Sequence, residues 1–321
     1  MNRLAKGFLT SAVVLGTMTA YNVAARRSVR PLTNPLEGKE RSYLWKWGPI
    51  HYTVAGDGPP AVLVHGIHAA ASSYEMRELF GPLTPTHCSY APDLLGFGLS
   101  ARPGLQYTGA LYVELLTDFL KEVVQQPCAL VASSLSAAYA IEVAHRLPQQ
   151  VTHLVLLCPT GLEALVDPPG ARGLALHLLL RAPVTGEFLF NLLVSRPALR
   201  YYLTRRVYYD ESLVTDEVIE AYYATSHQVN ARYAPAAFIG GLLNWDARTA
   251  YATLSQPVLV IWGRQAIETS VAQADAFMRM NPRARLEVLD RCRLLPHVEH
   301  SEKVTRLVLD HLAGTTHAPS A

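Results

Sequence analysis

Four short, uninterrupted apolar runs constrain this chain more than any other feature of it: residues 61–64, 129–132, 154–158 and 257–262. A strand covered by helices on both faces has no solvent side, so it reads as continuous hydrophobicity rather than alternation. A weaker run follows at 286–289. Helical patterns separate the runs. Over 112–124, Val113, Leu116, Leu120 and Val124 fall along one side; over 136–146, Ala138, Ile141, Val143 and Ala144 do the same; 304–312 closes the chain. Strands alternating with helices predict an α/β fold with a mostly parallel central sheet and flanking helices. Ahead of the first run, residues 43–47 and 50–54 predict an antiparallel hairpin turning at Gly48-Pro49.

One region breaks the alternation. Residues 161–247 hold no buried strand signal; they are rich in leucine and tyrosine at helical spacing, punctuated by Pro168, Pro169, Pro183, Pro197 and Pro235. Lying between two core strands, this stretch reads as an inserted helical cap. Helices inserted over the end of a sheet shape ligand pockets, although they also serve as plain packing. The folded domain is expected over 41–314, after a linker at 28–40 whose Pro31, Pro35 and Gly38 deny regular structure. The small, polar tail at 315–321 is expected to fray.

Residues 7–25 carry no charge, with Arg3 and Lys6 before them and Arg26 and Arg27 after. A membrane-crossing helix needs about 20 apolar residues. The segment just reaches that length, though Ser11, Gly16, Asn22 and its threonines dilute it. Three readings fit residues 1–27: a membrane anchor, which is preferred; a secretory signal, with Val23 and Ala25 at small-residue positions before a cut; and a helix lying on the protein or on a membrane surface. The arginines that follow weigh against clean export. The expected location is therefore membrane-associated, with an exported or a soluble cytoplasmic protein as the alternatives.

Composition mostly excludes. Of the 321 residues, 50% are hydrophobic and 17% charged, and the formal net charge of +2 is spread without long runs of one sign. No basic face marks a nucleic-acid partner. Cys88, Cys128, Cys158 and Cys292 are far apart, and no pair has metal-ligand spacing; buried, inert thiols are expected. With no metal motif and no nucleotide loop, no cofactor is expected.

Five segments then occur in a telling order. His65-Gly66 follows the first core run. Pro92-Asp93-Leu94-Leu95-Gly96-Phe97-Gly98-Leu99-Ser100 comes next, then Leu130-Val131-Ala132-Ser133-Ser134-Leu135-Ser136-Ala137 between a strand and a helix. Trp262-Gly263 ends the run after the inserted helices, and Leu295-Pro296-His297-Val298-Glu299-His300 precedes the last helix. Each is weak alone. Together, from 43 to 312, they resemble the cap-bearing branch of the α/β-hydrolase family.

That resemblance implies a nucleophile, Ser134, on a sharp strand-to-helix turn of the G-x-S-x-G type. Here both glycines are replaced, by Ala132 and Ser136, and both replacements are small. It also implies an oxyanion hole from the backbone N–H groups of Leu135 and Ile67, or of His68 in place of Ile67, with His65 bracing its loop. A serine hydroxyl is a poor nucleophile until a base takes its proton, and the family's activating pair is not where the resemblance places it. The acid of W-G-x-x-D falls on Ala266, and the base of G-H-x-P-H-x-E falls on Leu294. The candidate replacements are His297 and His68 as displaced bases and Glu268 as a displaced acid; His300 is expected on the last helix, outside the site.

The expected activity is hydrolysis of an ester, thioester or lactone of an apolar small molecule through Ser134. The alternatives are a non-catalytic protein that binds a small molecule or a partner on the same scaffold, and a cofactor-free lyase or isomerase. Oligomeric state is open.

Overall fold

The computed structural model describes residues 3–314; the tail expected at 315–321 lies outside them. Eight strands form one sheet in the order β1-β2-β4-β3-β5-β6-β7-β8. They are β1 (Lys39–Trp45), β2 (Gly48–Ala55), β3 (Pro60–Val64), β4 (Cys88–Pro92), β5 (Cys128–Ser133), β6 (Val151–Leu157), β7 (Val258–Gly263) and β8 (Arg285–Leu289). β2 pairs antiparallel with β1 and β4, and every other pair is parallel. The fold is that of the α/β hydrolases.

The helices are α1 (Arg3–Arg27), α2 (Arg77–Leu83), α3 (Gly109–Phe119), α4 (Leu135–Arg146), α5 (Ala171–Arg181), α6 (Thr185–Leu193) and α7 (Arg196–Tyr202), followed by α8 (Asp216–Ser226), α9 (Tyr233–Ile239), α10 (Arg248–Ala252), α11 (Ala274–Met280), α12 (Pro296–Glu299) and α13 (Ser301–Leu312). The central strands send alternate side chains into two cores. Val62, Val64, Leu130, Ala132, Leu154 and Val260 join the core that holds Leu116 of α3 and Tyr139 and Ile141 of α4. Ala61, Leu63, Val131, Val155 and Leu259 join the core of Leu79 and Phe80 from α2 and Val304 and Val308 from α13. With both faces covered, β3 and β5 are buried at every residue, which is why their sequences run unbroken. Each such Val or Leu contributes roughly 1.5–3 kcal/mol by leaving water.

The hairpin differs from its sequence reading. Trp45 pairs with Gly48, so the chain turns at Lys46-Trp47 and Gly48-Pro49 opens β2. Tight two-residue hairpins need a particular backbone twist, and Gly48 relieves the junction at φ +129°. β4 has no run signal of its own, because its burial is interrupted at Cys88 and Tyr90; Cys88 is accordingly half-buried while the other three cysteines are buried, and all four are free thiols. The sheet begins at Lys39, inside the expected linker, and Asn34 fastens that linker by accepting the Thr53 hydroxyl at 2.9 Å.

Between β6 and β7 the described chain is helical or irregular throughout. The C-terminal half of α1 lies on this insertion. Asn22 donates to the Val184 carbonyl at 3.0 Å and accepts from the Asn191 amide at 3.0 Å; Tyr21 meets Phe188 edge-on; Arg26 pairs with Glu187 at 2.8 Å. Among the described residues no single helix is long and apolar enough to cross a membrane; α5 and α6 together have the length and composition but bend by 101°.

Candidate active site

β5 delivers the chain to Ser134, which joins it to α4 at φ +52° and ψ −124°. A non-glycine residue held there costs about 1–3 kcal/mol and persists only where its surroundings over-determine it. They do so here. Ser134 N–H donates to the Leu157 carbonyl at 2.9 Å, and the Ser134 carbonyl accepts from Ala137 and Thr160. Ser136, in a glycine's place, turns its hydroxyl outward from the turn and donates to the His65 carbonyl at 2.6 Å. Gly66 faces the elbow so closely that an added Cβ would stand 3.3 Å from both Ser134 Cβ and Glu75 Oε2.

The loop after β3 is braced by His65. Its Nε2 accepts from Leu94 N–H at 3.1 Å, which leaves the ring proton on Nδ1, donating to the Gly66 carbonyl at 2.7 Å. Burial pushes this imidazole down, so it stays neutral. Ile67 N–H donates to no backbone carbonyl. Leu135 N–H is the first of α4, where helix geometry offers no acceptor. Both donors remain available at the mouth of the elbow.

Ser134 lines a cavity of about 190 Å³ shared with Ile67, His68, Glu75, Tyr202, Tyr222 and Phe238, among others. The last three come from α7, α8 and α9, so the inserted helices roof the site. His68, Tyr202, Tyr222, Phe238 and Glu268 also line a second chamber of about 440 Å³, walled further out by Leu193, Val194, Leu199 and Ile239. Neither chamber is lined by an arginine or a lysine. A larger cavity, about 470 Å³, lies between linker residues and α8, and Ser134 does not line it.

The replacement residues are distributed as follows. His68 lines both chambers and stacks on Tyr222 at 5.4 Å. Ala70 N–H donates to its Nδ1 at 3.3 Å, which leaves the proton on Nε2, facing Glu75 Oε2 at 3.6 Å. His297 is fully buried; its Nε2–H donates to the backbone carbonyl of Glu75 at 3.1 Å, and the cavity is lined on that side by Leu294 and Leu295. Burial pushes His297 down to about 4. Glu268 lines both chambers but pairs with Arg206 at 2.7 Å rather than with a histidine. His300 precedes α13 and donates to the Arg291 carbonyl at 3.3 Å. Ala266 and Leu294 are both buried, and Leu294 N–H is tied to the Val207 carbonyl beside α7.

Glu75 is absent from the sequence reading, yet it holds the centre of this arrangement. It is 2% exposed, and its Oε1 accepts from Gly66 N–H at 3.0 Å. Burial pushes its carboxyl up, but the His68 ring and His297 outweigh that and hold it down to about 2. One signal was present: Glu75 stands four residues before Leu79, on the buried face of the helical stretch that also holds Met76 and Phe80.

A strained serine at the C-terminal end of a central parallel strand, two free backbone donors beside it and a helical roof define the scaffold of an α/β hydrolase. The sequence profile of the alpha/beta hydrolase family matches residues 61–307, and the chain belongs to that family. It is 29% identical over 273 residues to 2-hydroxymuconate semialdehyde hydrolase of Pseudomonas sp. (strain CF600), covering 81% of this chain and 88% of that one. It is 25% identical over 273 residues to 2-hydroxy-6-oxo-6-phenylhexa-2,4-dienoate hydrolase of Burkholderia cepacia, covering 83% and 91%. In fold alone it is similar to the crystal structure of a membrane phospholipase A, with a TM-score of 0.70 at 21% identity, covering 98% of this chain and 96% of that one.

Proposed function

We propose that this chain hydrolyses an uncharged, apolar carbonyl compound, an ester, thioester or lactone, through Ser134. The observation that carries the reading is the elbow: Ser134 at φ +52° beside the unspent N–H groups of Leu135 and Ile67. Such donors are aimed where negative charge develops on a carbonyl oxygen under attack. His68 is the proton acceptor in reach of the cavity, with Glu75 holding its Nε2–H. To act, His68 must give up the long Ala70 hydrogen bond and present Nδ1 to the Ser134 hydroxyl.

The substrate class follows from the walls. The relatives are named for oxo and semialdehyde acids, and a carboxylate is held most strongly by a cationic side chain. The acidic side chains lining these chambers are Glu75 and Glu268, and no arginine or lysine lines either one. A carboxylate ligand would meet like charge, whereas a neutral apolar one would meet Tyr202, Tyr222, Phe238 and Leu294.

A second reading is a non-catalytic binding protein, and Ala266 with Leu294 favours it: neither side chain can move a proton. One experiment separates the two. The purified chain is treated with a fluorophosphonate probe and offered neutral p-nitrophenyl esters, a lactone and a 2-hydroxy-6-oxo-dienoate, alongside Ser134→Ala. Labelling and ester or lactone turnover that vanish in Ser134→Ala support the hydrolase. Ligand-induced thermal stabilisation without labelling or turnover supports the binding protein. Turnover of the dienoate in preference to the neutral compounds overturns the substrate class.

A further inference from the structure

We infer that α1 and the outer face of α5 and α6 form one apolar surface that docks on a lipid bilayer. Eleven of the seventeen large exposed hydrophobic side chains among the described residues lie on these three helices. On α5 they are Leu174, Leu176, Leu178 and Leu179; on α6, Leu189, Leu192 and Leu193; on α1, Val13, Val14, Leu15 and Val23. Leu178 is 68% exposed and Val13 62%. Soluble proteins seldom leave apolar side chains gathered in this way without a covering partner.

The three helices are continuous. Asn22, Tyr21 and Arg26 fasten α1 to α6. Gly186 fastens α6 to α5: a Cβ there would stand 2.5 Å from the Leu179 and Leu180 carbonyls, so the two helices meet at backbone range.

A bilayer fits this surface better than a second copy of the chain does. A partner protein covers one side of a helix. On α1, however, residues 12–20 are exposed all round apart from a half-buried Met18, and Val13, Val14 and Leu15 point in successive directions about the axis. A helix that exposes uncharged, mostly apolar side chains on every side is favoured where its surroundings are apolar. Charge agrees. The acidic residue of α6, Glu187, is neutralised by Arg26, and α5 has none. Arg27, at the end of α1, and Arg172, in the first turn of α5, are exposed, where anionic headgroups would attract them. The outer chamber opens beside this surface, since Leu193 and Tyr201 line it and are themselves exposed. An apolar ligand dissolved in lipid would therefore reach Ser134 through that chamber; this last step alone rests on the hydrolase reading.

The docking is tested without any chemistry at Ser134. The full chain carrying Ser134→Ala is mixed with vesicles of phosphatidylcholine, alone or with phosphatidylglycerol, and floated on a sucrose gradient. The protein is expected to rise with the vesicles, and more completely with the anionic ones. Val14→Glu/Leu178→Glu/Leu192→Glu in the same chain should lower the floated fraction about tenfold. Leu178→Glu alone should lower it partly, with an unchanged circular-dichroism melt. Leu44→Glu/Trp47→Glu, on the distant hairpin, should float like the parent. Parent protein that stays at the bottom with both vesicle types overturns the proposal, as does a triple variant that floats like the parent. A parent that stays down while light scattering shows a dimer, abolished in the triple variant, overturns it in favour of a self-interface.

Discussion

The Ser136 hydroxyl donates to the His65 carbonyl at 2.6 Å, joining the strained turn at Ser134 directly to the loop after β3. The family pattern has glycine at this position and no side chain to make that link. The serine compensates for the Cβ it adds by satisfying a buried carbonyl on the facing loop.

Ser136→Ala should therefore cost more than its size suggests. It leaves the buried His65 carbonyl without its hydroxyl donor, a loss of about 1–3 kcal/mol. Urea denaturation should show the midpoint falling with an unchanged slope. An unshifted midpoint would mean that the hydroxyl contributes nothing.

Gly98→Ala should be among the most damaging single changes in the chain. Gly98 sits at φ +48°, and a Cβ there would overlap the Asp93 carboxyl, 2.0 Å from its Cγ. Asp93 cannot retreat, because it accepts from Ser73 N–H at 2.7 Å and Leu99 N–H at 2.8 Å. A loss of roughly 3 kcal/mol or more is expected, visible as a large fall in Tm.

His297 and Glu75 make the fold acid-sensitive. Burial holds His297 at about 4 instead of 6.5, so the unfolded chain takes up its proton first. Its contribution is complete above pH 6.5 and is lost as the pH falls toward 4. Glu75, at about 2 instead of 4.5, contributes fully above pH 4.5 and loses that contribution as the pH falls toward 2. Stability should thus fall between pH 7 and pH 5 through His297 together with His227 and His311, which burial also pushes down to about 4. His297→Gln should remove part of that fall in urea midpoints measured at both pH values; a fall as large as the parent's would remove burial of neutral His297 as a cause.

The sequence pattern puts Ala266 and Leu294 where the family carries its acid and base, and substitution tests that assignment. Leu294 lines the cavity with Ser134, and its backbone is pinned to Val207. Leu294→His with Ala266→Asp should raise fluorophosphonate labelling of Ser134 about a hundredfold. Ala266→Asp alone should instead lower stability by roughly 1–3 kcal/mol, as a buried charge without a partner. Equal labelling of the double variant and the parent would show that the loop backbone no longer presents these positions to the serine.

The two cores were legible because strand burial on both faces writes itself as unbroken runs, and the sharp turn at Ser134 was legible because small residues flank it. Glu75 was not. Its side chain sits on the buried face with Leu79, but pattern reading sends an isolated carboxylate to solvent, and only the folded loop reveals Gly66 N–H and His68 beside it. The hairpin was placed two residues late because Gly48-Pro49 looks like a turn in one dimension, while the pairing of Trp45 with Gly48 decides it in three. The resting place of α1 was equally hidden: the Asn22–Asn191 bond spans 169 residues, and nothing local to either asparagine announces the other.

That amide pair has a mechanical consequence. α1 is about 37 Å long at helical rise, and it is fastened to the insertion near one end, through Tyr21, Asn22 and Arg26. Its free arm therefore bears on the insertion through α6, whose Leu193 walls the outer chamber, and through α8, whose Tyr223 hydroxyl donates to the Ala25 carbonyl at 3.4 Å.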